Sequence, residues 1–166
     1  MDLILEAAVT EQQYEKLAAM ASSIWNECYS SLLTPSQIEY MLARFQSAEA
    51  IQEQIEQQGY RYYFIVANGQ KVGYTALKIE FQALFLSKLY IQSKVRGKGY
   101  SKLVIGKLVE IANQAKLKSI WLTVNRYNEA AIAAYKRSGF VITDEKVTDI
   151  GNGYVMDDYI MELALV

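Results

Sequence analysis

The chain has 166 residues, of which 52% are hydrophobic and 21% charged, which is typical of an ordered globular protein the size of one domain. Its formal net charge of −1 argues against broad binding to nucleic acid or an anionic membrane, since either requires clustered positive charge. It contains no histidine, which excludes Ser-His-Asp and Cys-His catalysis and removes the commonest zinc ligand.

The first residues and the cysteine content bear on the compartment. Cys28 is the single cysteine, so no intrachain disulfide can form. No basic region precedes the apolar residues at the N-terminus, and no apolar run approaches the length needed to cross a bilayer. We therefore expect a soluble, cytoplasmic protein.

The first third of the chain predicts one strand and three helices. Thr10 and Gln13 have the spacing of a capping box at the start of the first helix. Pro35, the one proline, follows Thr34 and suits the first position of the second helix. Gly59 suits the position after the third helix. The predicted strand covers residues 3–9, and the helices cover 10–28, 35–45 and 49–58.

A three-stranded antiparallel meander follows. Asn68-Gly69 is a strong signal for a two-residue hairpin turn between the first two strands. Gly73 indicates a bulge or a close approach of another backbone segment. The predicted strands cover residues 60–67, 71–80 and 84–91.

The last part of the chain alternates helices and strands. An apolar stripe at helical spacing follows a glycine-containing loop, and a short apolar strand comes next, so strands 84–91 and 119–124 form a βαβ unit and should be parallel neighbours. A helix over 128–137 and strands over 140–147 and 154–165 complete the chain. The sequence thus predicts a single mixed α/β domain over residues 1–166.

The loop after the third strand of the meander contains the sharpest local pattern, Arg96-x-x-Gly99-x-Ser101. Gly97 and Gly99 allow successive N–H groups to point inward, and the helix that begins there adds its positive dipole end. Alone, the pattern is weak and favours an ordinary structural turn over an anion site, because any strand-to-helix turn can contain glycines. It lacks the GK[ST] ending of Walker A and does not open on a glycine as a dinucleotide fingerprint does.

A second pattern lies one strand later and gives the first its meaning. Asn125–Asn128 is followed by Ala131, Tyr135 and Gly139-Phe140. Together with Arg96-x-x-Gly99-x-Ser101 this resembles the GNAT N-acetyltransferase superfamily. The C-terminal stretch 151–161 looks like the terminal strand of small bacterial members, including polyamine acetyltransferases. One departure is Ser101, which stands where the family usually has Gly or Ala.

The resemblance implies a fold and a cofactor. The fold is a mostly antiparallel twisted sheet of about seven strands with one parallel βαβ pair, flanked by helices. The cofactor is acetyl-CoA, with no metal. The backbone of three strand residues would bind the pantetheine arm, the loop would hold the pyrophosphate, and Asn128 would bind the cofactor as well. The strand residues are Leu89, Tyr90 and Ile91, and the loop residues are Arg96, Gly97, Lys98, Gly99, Tyr100 and Ser101.

The resemblance also implies a reaction. Tyr135 would stand near the sulfur and protonate the departing thiolate, while the acetyl group passes by direct attack to an amine, polyamine or peptide N-terminus. Taken in isolation, Tyr135 would be read as a core residue and Asn128 as a helix N-cap. Two other functions stay open: a non-catalytic coenzyme A sensor, and a P-loop or Rossmann nucleotide binder, which the preceding meander disfavours. Pairing through sheet edges leaves a homodimer open.

The acceptor site is less determined by sequence. The base that deprotonates the amine is not identified by any motif, and Glu80 is put forward without a motif to support it. Candidate walls are aromatic, namely Trp25, Tyr29, Tyr40, Tyr60, Tyr62, Tyr90 and Tyr159. Candidate acids are Glu27, Glu39, Glu80, Asp157 and Asp158.

Overall fold

Residues 2–166 are described by a computed structural model of the protein, and they form seven β-strands and five α-helices. None of these helices is long and apolar enough to cross a membrane. A single 3-10 turn, Ser93–Val95, follows the fourth strand. The elements are β1 Leu3–Ala7, α1 Glu11–Tyr29, α2 Pro35–Phe45, α3 Ala48–Gln57, β2 Arg61–Ala67, β3 Gln70–Glu80, β4 Ala83–Ile91, α4 Tyr100–Gln114, β5 Ser119–Asn125, α5 Glu129–Arg137, β6 Val141–Gly151 and β7 Tyr154–Ala164.

The strands are ordered β1-β2-β3-β4-β5-β7-β6. Only the β4–β5 pair is parallel among the described strands, with Ala83 opposite Ser119 and Phe85 opposite Trp121. The predicted βαβ unit and the mostly antiparallel seven-stranded fold are therefore confirmed. The described residues pack as two compact units: residues up to Lys78 with Lys88–Val104, and Ile79–Ser87 with Ile105–Val166.

Local signals place the helix starts as predicted. The Gln13 backbone N–H donates to Thr10 Oγ1 at 3.2 Å, and Gln13 Oε1 accepts from the Thr10 backbone at 3.0 Å, which completes the capping box. Pro35 occupies the first turn of α2 behind the Thr34 cap. Each cap satisfies backbone donors that the helix itself leaves unpaired.

The first unit contains the helices α1–α3, the strands β1 and β2, β3 up to Lys78, and β4 from Lys88 onward. Its fully buried side chains include Leu17, Ile51 and Phe64. The hairpin predicted at Asn68-Gly69 is present, with φ of 52° and 80° at the two residues, the left-handed pair that a tight hairpin turn requires.

The second unit pairs β5, β7 and β6. Alternate residues of β5, beginning with Ile120, are buried, so this strand has one fully covered face. The prediction ended β6 at residue 147, but the strand continues to Gly151, where it pairs with Tyr154. Asp149 and Gly151 have low strand preference, so their pairing with β7 overrides the local signal.

Gly73 on β3 lies directly against the backbone of β4. A Cβ atom at Gly73 would lie 2.0 Å from the Tyr90 carbonyl oxygen and 3.1 Å from Ile91 Cα. The β2–β3 register shifts at the same place, between Ile65 and Val66. The sequence prediction of a bulge or close approach is confirmed: both occur. Glycine is needed here for space, since its φ does not lie in the left-handed region.

We expect Gly73→Ala to destabilise the protein, because the Tyr90 carbonyl must move to admit the methyl group. Overpacking of this kind costs about 1–3 kcal/mol, measurable as the free energy of unfolding in urea. Gly106→Ala is the control, because nothing lies within 4 Å of its added Cβ on α4, and alanine stabilises a helix interior by about 0.5–1 kcal/mol over glycine. Equal stability of Gly73→Ala and the wild type would contradict the close approach.

Candidate active site

The loop between β4 and α4 has the backbone shape that anion binding requires. Gly97 and Gly99 have φ of 81° and 80°, a conformation that glycine adopts without strain. The first helical hydrogen bond of α4 runs from Leu103 N–H to the Gly99 carbonyl at 3.2 Å. The N–H groups before Leu103 have no partner within the helix, so they and the positive helix end are directed into the loop.

The three cationic side chains of the loop are exposed, and one of them also bonds to the preceding strand. Lys94, Arg96 and Lys98 are all exposed, which raises the positive potential around the turn. Arg96 also turns back toward its own strand, since its Nε donates a hydrogen bond to the Ile91 carbonyl at 2.9 Å. Tyr100 differs from its neighbours because its side chain is buried. Only its backbone can therefore serve an anion, while Ser101 is half-buried.

The carboxyl end of β4 is fixed to β3. Gln92 N–H donates to the Val72 carbonyl at 2.8 Å, and Thr75 Oγ1 donates to the Lys88 carbonyl at 2.7 Å. Burial lowers the pKa of the Lys88 ammonium group to about 8. The predicted pantetheine strand, Leu89–Ile91, thus follows a lysine that sequence reasoning did not select.

Aromatic rings from α1, β3 and β4 form a cluster beside this strand end, made of Trp25, Tyr29, Tyr74 and Tyr90. The Tyr90 ring centroid lies 5.8 Å from that of Trp25 and 5.5 Å from that of Tyr74. Tyr29 and Tyr90 share a hydrogen bond between their hydroxyls at 2.8 Å, and Trp25 Nε1 donates to the Tyr74 hydroxyl at 3.0 Å. Burial raises the pKa of Tyr74 and Tyr90 well above the usual value, so both stay neutral donors.

The end of α1 is also tied to the 3-10 turn. Ser93 Oγ donates to Glu27 Oε2 at 2.6 Å. The candidate acid Glu27 and the candidate walls Trp25, Tyr29 and Tyr90 therefore belong to one region of the first unit, next to the predicted anion loop.

Other candidate wall residues have different partners. Tyr62 is fully buried, and its hydroxyl accepts from Gln46 Nε2 at 2.9 Å. Tyr40 accepts from Arg44 at 2.7 Å, and the Tyr60 ring lies under Lys78 Nζ at 5.3 Å. Tyr40 and Tyr60 are not part of the aromatic cluster, whereas the Tyr62 ring stacks on that of Tyr74 with centroids 6.4 Å apart. Tyr74 belongs to the aromatic cluster, and no sequence signal distinguishes it beyond its place in a strand.

The second unit carries Asn128 and Tyr135 on one helix. Asn128 Oδ1 caps α5 by accepting from Ala131 N–H at 3.3 Å, and its own N–H donates to the Asn125 carbonyl at 2.9 Å. Tyr135 is half-buried and packs edge-on against Phe140 with ring centroids 5.5 Å apart. The helix cap predicted for Asn128 is present, and the two pattern residues Tyr135 and Phe140 are in contact.

Arg126 engages two of the remaining candidates. Its Nε donates to Asp157 Oδ1 at 2.7 Å, its Nη2 lies 3.2 Å from Glu145 Oε1, and its guanidinium lies 5.1 Å from the centre of the Tyr159 ring. Asp157 and Tyr159 are thus held by a structural cation.

Asp158, the next residue, forms no ion pair with an arginine or lysine among the described residues. Its side chain is 4% exposed, and its Oδ1 has no hydrogen-bond partner among the described residues. Burial, helped by the charge of Asp157 and opposed by Lys146, raises the pKa of Asp158 to about 6. Asp158 lies opposite Asn125, the last residue of β5.

Glu80, the last residue of β3, lies near the start of β5, at the opposite end of that strand from Asn125. It is exposed at the end of β3, two residues before Gln82, whose carbonyl accepts from Lys118 N–H at 2.8 Å. Lys118 precedes Ser119, the first residue of β5, whereas Asn125 is the last. Seven strand residues span roughly 20 Å, so the structure argues against Glu80 as a base acting near Asn128.

Comparison with known proteins shows the family of the chain and its fold. The acetyltransferase (GNAT) family profile matches residues 18–140. An uncharacterised N-acetyltransferase of Mycobacterium tuberculosis strain H37Rv is 30% identical over 100 residues, which are 60% of this chain and 64% of the relative. A Mycobacterium bovis relative gives the same values. The match thus spans less than two thirds of the length of these relatives.

Two solved structures share the fold. The PaiA N-acetyltransferase of Thermoplasma acidophilum, solved with coenzyme A, has 22% identity and a TM-score of 0.82 over 99% of this chain and 100% of that one. The spermidine N-acetyltransferase of Vibrio cholerae, solved with coenzyme A and spermine, has 18% identity and a TM-score of 0.71 over 98% and 95%.

We expect Asp158→Asn to raise the melting temperature at pH 8. The folded-state pKa of Asp158, about 6, exceeds the ordinary value of 3.8, so folding favours the protonated acid and the carboxylate is destabilising above pH 6. The difference between mutant and wild type should therefore shrink as the pH falls from 7 to 4. Scanning calorimetry across this range measures it.

Asp144→Asn is the control, because Asp144 is exposed on the neighbouring strand β6 and should show little change at any pH. A lower melting temperature for Asp158→Asn than for the wild type at pH 8 would show that the buried carboxylate is stabilised within the fold.

Proposed function

Because the chain belongs to the acetyltransferase (GNAT) family, we propose that it transfers the acetyl group of acetyl-CoA to the nitrogen of an amine. The observation that carries the proposal is the loop at 96–101, where two left-handed glycines lead into the N-terminus of α4. This is a backbone arrangement that suits a pyrophosphate. It lies within the matched residues, as do Asn128 and Tyr135.

The residues of this loop fit coenzyme A in charge and in space. Gly97 and Gly99 have nothing within 4 Å of an added Cβ, so the backbone is open to phosphate oxygens, and Lys94 and Lys98 are exposed beside it. The small Ser101 leaves the first turn of α4 accessible. Backbone groups at Leu89–Ile91 would bind the pantetheine arm, and Asn128 would contact the cofactor.

Acetyl-CoA supplies an acetyl group activated as a thioester, whose sulfur leaves as a thiolate. Tyr135 donates its phenolic proton to that sulfur, and a backbone N–H at the end of β4 donates to the carbonyl oxygen as it gains negative charge. The nitrogen loses two protons as the C–N bond forms and the C–S bond breaks. One is balanced by the thiol product and one reaches solvent.

Direct attack by the amine is favoured over an acetyl-enzyme. The chain has no histidine, and burial raises the pKa of the Cys28 thiol, which keeps it protonated and a poor nucleophile. The acceptor class we propose is a small amine, a polyamine or a peptide N-terminus, in keeping with the spermine-bound spermidine N-acetyltransferase that shares the fold. A non-catalytic coenzyme A sensor is the alternative.

We expect coenzyme A to raise the melting temperature of the wild type and to leave Gly99→Trp unaffected, because the indole would fill the phosphate loop. At 100 times Kd the stabilisation should be about 2.7 kcal/mol. Gly69→Trp is the matched control: Gly69 has the same φ of 80° and equal open space but lies in the β2–β3 turn, so it should keep the shift. Stabilisation by ATP or NAD in place of coenzyme A would contradict the proposal.

We expect the wild type to release thiol from acetyl-CoA with at least one amine of a panel of spermidine, spermine, aminoglycosides, free amino acids and short peptides. Tyr135→Phe should lower kcat about 10²-fold or more and keep the coenzyme A shift, because only the proton donor is lost. Tyr127→Phe, 65% exposed in the loop before α5, should keep full turnover.

Equal turnover by Tyr135→Phe and the wild type would refute the acid role of Tyr135. Coenzyme A binding by a wild type that acetylates no amine of the panel would favour the sensor.

A further inference from the structure

We propose that Asp158 is the general base of this reaction: its carboxylate takes a proton from the ammonium group of the acceptor before the nitrogen attacks. The inference rests on the proposed amine acetylation and adds the residue that neither the loop nor Tyr135 supplies. Asp158 lies outside residues 18–140, the part matched by the family profile, so the match assigns it no role.

The state of the carboxyl group is the first argument. Asp158 is only 4% exposed, and its Oδ1 accepts no hydrogen bond from the described residues. A buried carboxylate without a donor is destabilising, and such groups are normally satisfied in folded proteins. The N–H of a bound ammonium group would supply the missing donor, with charge complementarity as well.

The position of Asp158 in the second unit is the second argument. It is in register with Asn125, whose side chain accepts from Tyr127 N–H at 2.9 Å and whose carbonyl accepts from Asn128 N–H at 2.9 Å. Asp158 therefore lies at the end of the sheet from which the turn to Asn128 departs, and this turn leads into the helix that carries Tyr135.

The charges around Asp158 keep it able to accept a proton. Lys146 lies opposite it on β6 and favours the carboxylate, whereas the adjacent Asp157 disfavours it. Arg126 is engaged by Asp157 and Glu145, and Asn125, which faces Asp158 from β5, carries no charge. With a pKa raised to about 6, Asp158 is ionised at neutral pH yet more basic than an exposed aspartate, as a general base requires.

The step balances with the residues named. The ammonium N–H bond breaks, its proton moves to Asp158, and the freed lone pair forms the C–N bond to the acetyl carbon. The sulfur receives the Tyr135 proton, and the second nitrogen proton, lost as the amide forms, is replaced on Tyr135 through solvent. Asp158 then returns its proton to solvent, so one proton is released per acetyl group transferred.

The test uses the full chain, acetyl-CoA and the amine of the panel that the wild type turns over fastest. Asp158→Asn should lower kcat/KM about 10²-fold or more at pH 7 and remove the acidic limb of the pH profile, while the thermal shift with coenzyme A stays unchanged. Hydroxylamine, which needs no base because it is neutral at pH 7, should be acetylated equally by both. Asp144→Asn should behave as the wild type.

Wild-type turnover and an unchanged acidic limb in Asp158→Asn would overturn the inference while leaving the proposed function intact. The inference would also be overturned if Lys88→Met lost the acidic limb of the pH profile and Asp158→Asn kept it. Lys88 is the other residue whose pKa is displaced toward neutrality, and this result would give it the role of base. A wild type that neither binds coenzyme A nor acetylates any amine would end the proposed function and this inference together.

If the wild type binds coenzyme A but acetylates no amine of the panel, the melting temperatures of Asp158→Asn and the wild type test the inference. A higher melting temperature of Asp158→Asn at pH 8 supports a carboxylate held ready for a ligand. A lower one overturns the inference, because the fold would then be stabilising the charge itself.

Discussion

The contact between Gly73 and the backbone of β4 is the constraint on which the first half of the candidate site depends. With a Cβ position 2.0 Å from the Tyr90 carbonyl oxygen, no other residue allows β3 and β4 to approach as they do. This approach fixes the Tyr90 ring against Trp25 and sets the Ile91 carbonyl where Arg96 Nε reaches it at 2.9 Å. The absence of a side chain at Gly73 thus determines the position of the end of β4 and of the loop that follows it.

The two units treat buried polar groups differently. In the first, Trp25, Tyr74, Gln46 and Tyr62 form a continuous chain of hydrogen bonds, so burial adds rigidity without leaving a donor or acceptor unpaired. In the second, Asp158 is buried with an unpaired oxygen. A fold that satisfies one buried network and leaves a single carboxylate unsatisfied is locally inconsistent at that carboxylate, and such places are where function is expected.

Much of the fold could be predicted because its signals are local. The Thr10 capping box, Pro35 and the Asn68-Gly69 turn each act within a few residues, and all three formed as predicted. The predicted end of β6 was wrong because Asp149 and Gly151 are strand residues only through their pairing with β7. That pairing joins the two sides of a hairpin and leaves no mark in the propensity of either residue.

The sequence by itself determined the elements, the parallel pair and the glycine loop, because periodicity, caps and left-handed glycines depend on neighbours along the chain. Tertiary structure alone decided the burial and the partners of each polar residue. Glu80, Asp157 and Asp158 are equivalent carboxylates in the sequence, but one is exposed at the end of β3, one is held by Arg126, and one is buried opposite Asn125. Burial and partners come from strands that are distant in sequence, and the pKa of a carboxyl group follows from them.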